Sequence, residues 1–172
     1  MIAEGMRQVP RPVRLAFLGT QMLFNQGEYD QSIDYGLKAL EYAPRDQSTI
    51  NESSLHLTLG QTYSARLMAA LRQTDSPRDS GDDLQEAHRV ALHFAAAVNS
   101  PDTAPEHKVI IDYTLNHLAT FLRSSGLDAE AVDRVLSPIL RALEEEEDED
   151  EGENQQMQQL WRQLASASNK EA

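Results

Sequence analysis

Five histidines, His56, His88, His93, His107 and His117, are the side chains of this sequence best suited to moving protons or holding a metal near neutral pH. Their spacing speaks against both uses. A helical metal site places two imidazoles at i and i+4, as in a His-Glu-x-x-His run, and no pair here has that separation. Asp112 and His117 are five residues apart and face each other poorly on a helix. There is no glycine-rich phosphate loop and no Gly-x-Ser-x-Gly elbow to present a nucleophile. The absence of cysteine removes disulfides and thiolate metal sites, and it fits a reducing, cytoplasmic setting. The histidines are read as scattered surface or satisfied side chains. No catalytic, metal-binding or cofactor-binding residue is assigned, no cofactor is expected, and the chain is expected not to be an enzyme.

The elements that could position a site are helices. From Ala16 to Pro44 the sequence reads as two amphipathic helices joined by Gln26-Gly27-Glu28, where a glycine can take the left-handed conformation that closes a helix. Phe17, Leu18, Leu23 and Phe24 supply an apolar face before the turn. Tyr29, Ile33, Leu37 and Leu40 recur at helical spacing after it, and Pro44 ends the second helix. The pattern predicts helices over Pro12–Asn25 and Tyr29–Tyr42. A third starts near Asn51 and runs through Leu71, and Thr74–Ser80 is a loop by composition. A fourth, over Asp83–Val98, is capped by Asp82 or Asp83 and carries Leu84, Ala87, Ala91 and Phe94 on one face. A fifth covers Pro105–Ser124, with a Thr103/Glu106 capping box and an apolar side that includes Val109, Ile110, Tyr113, Leu118 and Leu122. Gly126 ends it and Asp128 caps a sixth, which Pro138 should kink or break.

Two stretches resemble the tetratricopeptide repeat, a helix–turn–helix unit of about 34 residues. In GEYDQSIDYGLKALEYAP, residues Gly27, Tyr29, Ile33, Ala39, Leu40 and Pro44 stand where that family places its turn glycine, aromatic, aliphatics, small packing residue and closing proline. Leu59-Gly60-Gln61-Thr62-Tyr63 matches its Leu-Gly-x-x-Tyr signature, with Gly60 allowing close helix approach. The third pair departs from the pattern, with Asp128 in place of the aromatic. The resemblance implies an all-α fold: a right-handed stack of three hairpins over residues 12–143, after a flexible arm at 1–11. It also implies a concave groove lined by the first helix of each hairpin. Carried over position by position, that groove takes Arg14, Phe17, Gln21, Phe24 and Asn25 from the first helix. It takes Ser54, Leu57, Gln61 and Ser64 from the third, and Tyr113, Asn116, Thr120 and Arg123 from the fifth. The carboxamides of Gln21, Gln61 and Asn116 could pair with a peptide backbone, since each has one acceptor and two donors. The bland alternative, ordinary solvated polar residues, stands beside this one. The family's clamp for a C-terminal carboxylate needs lysine, and its positions hold Phe17, Gln21, Thr58 and Asn116. Arg14 and Arg123 remain as anion contacts.

The net charge of −13 sits mostly in one run, residues 144–153, where nine of ten side chains are acidic. The rest is mildly acidic, which argues against nucleic acid as a partner. The run is read as a solvated linker, or as a tether for a basic partner. Beyond it, Met157, Leu160, Trp161 and Leu164 form a narrow apolar stripe over 154–167, and 168–172 frays. That helix caps the array, docks on another chain or fills the protein's own groove. No run suits a membrane helix, so no membrane insertion is expected. The expected function is that of an adaptor or assembly factor that binds a partner peptide in the groove. The alternatives are a dedicated chaperone for a basic or aggregation-prone client, and a self-assembling scaffold in which the chain forms a homo-oligomer.

Overall fold

The computed structural model describes residues 12–43, 51–73 and 78–144, and every regular element among them is helical. The helices are α1 (Pro12–Asn25), α2 (Tyr29–Tyr42), α3 (Glu52–Arg72), α4 (Ser80–Val98), α5 (Pro105–Ser124) and α6 (129–144). Two compact units are distinguished, Met1–Ile139 and Leu140–Ala172. Of the second, only the last turn of α6 is described. Pro44, the N-terminal arm, most of the 74–80 loop, the acidic run after Glu144 and the Met157/Leu160/Trp161/Leu164 segment lie outside the described residues. No described helix is long and apolar enough to cross a membrane.

Glycine stops α1 and α5 in the same way. Gly27 and Gly126 adopt φ of +79° and +92°. Behind them Glu28 N–H reaches Leu23 O at 2.9 Å and Leu127 N–H reaches Leu122 O at 3.2 Å. These bonds satisfy carbonyls that the helix end leaves free. Each turn reverses the chain within three or four residues, so α2 folds back on α1 and α6 starts directly after α5. Side-chain caps open three helices. Asn51 accepts from Ser54 N–H at 2.8 Å, Asp79 from Gly81 N–H at 2.8 Å, and Asp128 from Ala131 N–H at 2.9 Å.

Three local expectations need correction. Helix α4 is capped by Asp79, not Asp82 or Asp83, and starts a turn earlier; the Asp83 carboxylate is buried and paired with Arg78. Thr103 and Glu106 form no capping box. The residue before α5 is Ala104, and the Thr103 hydroxyl is buried without a partner. Pro105 in the first turn has no amide to satisfy, which lets α5 begin without a side-chain cap. Pro138 does not break α6, which is continuous over 129–144. Pro138 and Arg134, whose carbonyl loses its helical donor, are both exposed, so water can take that bond.

Helices adjacent in the chain pack antiparallel, while α1, α3 and α5 run parallel. The contacts show this directly. Ser32 Oγ donates to Thr20 O at 2.8 Å across α1 and α2. Gly36 of α2 lies against Leu59 of α3, and Gly60 of α3 lies under the Phe94 ring of α4. Between α3 and α5, Ser53 meets His107 at one end and Arg72 covers Phe121 at the other. The core of the α3–α5 region is a leucine-rich layer around Phe94, which is fully buried, with Ile111, Leu115, Leu118 and Leu122 as the inner face of α5. That spacing fills the buried arc of α5, so Val109 and Tyr113 lie on its outer side, 69% and 71% exposed. Leu18 and Leu37, expected on apolar faces, are likewise about half exposed, because Ala16, Thr20, Ile33 and Gly36 make the close contacts instead.

The tightest packing generates a prediction. A Cβ built on Gly60 would overlap the edge of the Phe94 ring. Gly60→Ala should therefore lower stability by about 2 kcal/mol, the overpacking cost exceeding the ~1 kcal/mol that alanine adds to helix propensity. Urea denaturation reads the change, and Gly60→Ala with Phe94→Leu should recover part of it. A variant as stable as the wild type would mean that α3 and α4 do not approach this closely.

Candidate functional site

Helix α3 has neighbours on most of its circumference. Its flank with Leu55 and Leu59 faces α1 and α2, and Gly60 faces α4. Ser53, Leu57 and Ser64, at i, i+4 and i+11, share the flank that bonds α5 through Ser53 and His107. The stripe left open is Ser54, Thr58 and Gln61, all half-buried. Opposite it stand Gln21, Phe24 and Asn25 of the parallel helix α1. Together Gln21, Phe24, Asn25, Thr58 and Gln61 line a cleft of about 340 Å³.

The cleft is uncharged and its amides are uncommitted. Gln21, Asn25 and Gln61 make no hydrogen bond or ion pair within the described protein. Thr58 Oγ1 donates to Ser54 O at 2.9 Å, which leaves its lone pairs available as acceptors. Phe24 is half-buried and held at its edge by Tyr29, with ring centroids 6.0 Å apart. The set therefore offers six amide N–H donors and three amide oxygens beside one aromatic face, at neutral charge.

The sequence-derived groove residues divide into three groups. Gln21, Phe24, Asn25 and Gln61 meet in the cleft. Leu57 and Ser64 do not belong to it: they are 7% and 1% exposed, on the face of α3 that carries Gly60 and Ser53. The stripe is one residue further on, and Thr58 takes the place given to Leu57. Phe17 packs against the Val13, Ala16, Ala39 and Leu55 cluster, so much of its ring is spent on the core, while Arg14 is exposed. The α5 residues form the third group. Tyr113 is exposed and stacks on His117, with centroids 6.2 Å apart. The Asn116 amide donates to Asp112 at its carbonyl (3.0 Å) and carboxylate (2.9 Å), Thr120 Oγ1 donates to Asn116 O at 2.9 Å, and Arg123 pairs with Asp133. None of these four lines the cleft. Asn116 is thus not the partner of Gln21 and Gln61; Asn25 is.

Two arrangements have no signal in the sequence. Ser53 Oγ lies 2.8 Å from His107 Nδ1, the pairing a nucleophilic serine would use. But Ser53 is fully buried and also bonds Ala97 O at 2.9 Å. Asp102 accepts from Ser53 N–H and the Ser100 hydroxyl, not from the imidazole. This is a polar joint tying the starts of α3 and α5, closed to substrate. The second arrangement is His56 of α3 against His93 of α4, Nδ1 to Nδ1 at 3.0 Å, with the Tyr63 ring stacked on His93 and Arg66 over Tyr63. Arg66 joins three helices, pairing with Asp30 of α2 and Glu86 of α4, beside a second cleft of about 360 Å³. Burial lowers the pKa of both imidazoles. It is opposed at His56 by Glu52 and reinforced at His93 by His56, which brings His93 to about 4.

No family model matches the chain, and no curated protein or solved structure is significantly similar to it.

The His93 shift has a sign. Its folded pKa of about 4 lies below the ordinary 6.5, so between those values the unfolded chain binds a proton that the folded chain refuses. The stability involved is intact above about pH 6.5 and is lost as pH falls toward 4. Urea midpoints across that window should fall in the wild type and fall less in His93→Gln. An equal fall in both would place the pH response on the carboxylates.

Proposed function

We propose that the first unit is a tetratricopeptide-like stack that binds an extended peptide segment of another protein along the open side of α1, α3 and α5, as an adaptor or assembly factor. The observation that carries this is the neutral cleft in which the carboxamides of Gln21, Asn25 and Gln61, without a hydrogen-bond partner among the described residues, surround Phe24. A free amide can give an N–H to a peptide carbonyl and take a peptide N–H in return, the pairing a single strand of backbone needs. Such groups bind backbone of any sequence, and Phe24 selects an apolar or aromatic side chain beside them. The stack receives support from the glycine-closed turns at Gly27 and Gly126, the Gly60–Phe94 contact and the parallel run of α1, α3 and α5. On this view Val109 and Tyr113, exposed on α5, extend the apolar contact beyond the cleft. The role is binding rather than catalysis, and the carboxylate clamp is replaced by amide pairing.

The test is selection of short random peptides on the full chain, followed by affinity measurement of the enriched sequences. Gln21→Ala with Gln61→Ala should weaken them roughly 30- to 150-fold, two to three hydrogen bonds at about 1 kcal/mol each. Ser64→Ala, buried on the other flank, should leave affinity unchanged. Raising salt should change it little, because the cleft carries no charge. Enriched peptides that ignore the double substitution would remove the cleft from the function, and affinity that collapses with salt would favour a charge-driven chaperone.

A further inference from the structure

We propose that His56 and His93 form a two-imidazole site for a borderline divalent transition cation, on the side of α3 away from the amide cleft. The first support is distance. Zinc binds imidazole nitrogen at about 2.0–2.1 Å, so two such ligands on one ion stand roughly 2.9 Å apart at a right angle and roughly 3.4 Å apart at the tetrahedral angle. The two Nδ1 atoms are 3.0 Å apart, inside that range. The second support is rigidity. The imidazoles come from different helices, and those helices are held in register by the Gly60–Phe94 contact and the Arg66–Glu86 pair. The Tyr63 ring, stacked on His93 at 14° between planes, fixes that imidazole's orientation. The third is access: both histidines are half-buried, so the remaining coordination positions can be filled by water. Glu52, exposed one turn before His56 on the same helix face, adds negative charge. Imidazole donors suit zinc, copper and nickel and not calcium or magnesium, which take oxygen.

Without an ion, the same contact is an N–H···N bond in which one Nδ1 holds the proton. Binding moves that proton from Nδ1 to Nε2 of the same ring, so both rings stay neutral, each presents a lone pair at Nδ1, and no proton is released to solvent. The ion then bridges α3 and α4.

Zn²⁺ is the probe, added alone to the full chain at neutral pH. Calorimetry should show one saturable equivalent bound. The imidazole C–H resonances of His56 and His93 should shift with it, while those of His88 and His117 stay in place. His56→Gln and His93→Gln should each weaken binding at least tenfold, and the pair together should be no worse than either alone. Mg²⁺ should not compete. Wild-type resonances of His56 and His93 that do not respond to Zn²⁺ would overturn the site without any variant having to fold, and so would binding that survives in both substitutions.

Discussion

The backbone of Gly60 beneath the Phe94 ring sets the distance between α3 and α4, and most of the structure follows from that contact. With no side chain at Gly60, a fully buried aromatic sits directly on a helix backbone, and dispersion and apolar burial are gained together. Gly36 against Leu59 does the same between α2 and α3. Two bare positions on successive helix pairs therefore draw three helices to short separation, and α3 becomes the element that every other described helix from α1 to α5 uses as a partner.

That centrality decides where chemistry is available. A helix packed on several flanks keeps one narrow stripe for solvent, and on α3 it is Ser54, Thr58 and Gln61. Most polar groups turned inward on α3 are satisfied locally: Thr62 bonds the carbonyl four residues back and Ser53 bonds Ala97 and His107, while the buried Ser64 hydroxyl has no partner among the described residues. The amides of the cleft are the contrast: among the described residues Gln21, Asn25 and Gln61 have no hydrogen-bond partner, with Gln61 half-buried and Gln21 and Asn25 exposed. An isolated water-exposed amide costs nothing when unpaired, but a sheltered group gains more from a partner as its surroundings dry. The cleft is the place on α1 and α3 where a ligand's backbone would be rewarded.

The opposite side of α3 is built on charge and imidazole. Arg66 satisfies carboxylates from α2 and α4, Arg89 shares Glu86, and Arg78 neutralises the buried Asp83. These pairs are partly exposed, so their worth lies more in fixing helix positions than in raw stability. Beside them His56 and His93 meet at their Nδ1 edges, and burial lowers the pKa of both.

The sequence by itself determined the helices. Their ends are written in short-range chemistry, in glycines at 27 and 126 and the cap at 128, and the approximate bounds read for α1, α2 and α5 agree with the observed ones. Gln21, Phe24, Asn25 and Gln61 were indicated by the resemblance to tetratricopeptide repeats, whose groove positions they occupy. The tertiary structure decided which of those faces stayed open. Leu57 and Ser64 differ from Thr58 and Gln61 by less than a third of a helical turn, and only the packing of neighbouring helices tells the buried flank from the exposed one. Pairings between helices were out of reach for the same reason. His56 and His93 are 37 residues apart, and no local pattern links them. Hydrogen bonds within a helix obey sequence spacing, whereas contacts between helices depend on how deeply each pair is allowed to approach. Here the bare backbone at Gly36 and Gly60 sets that depth.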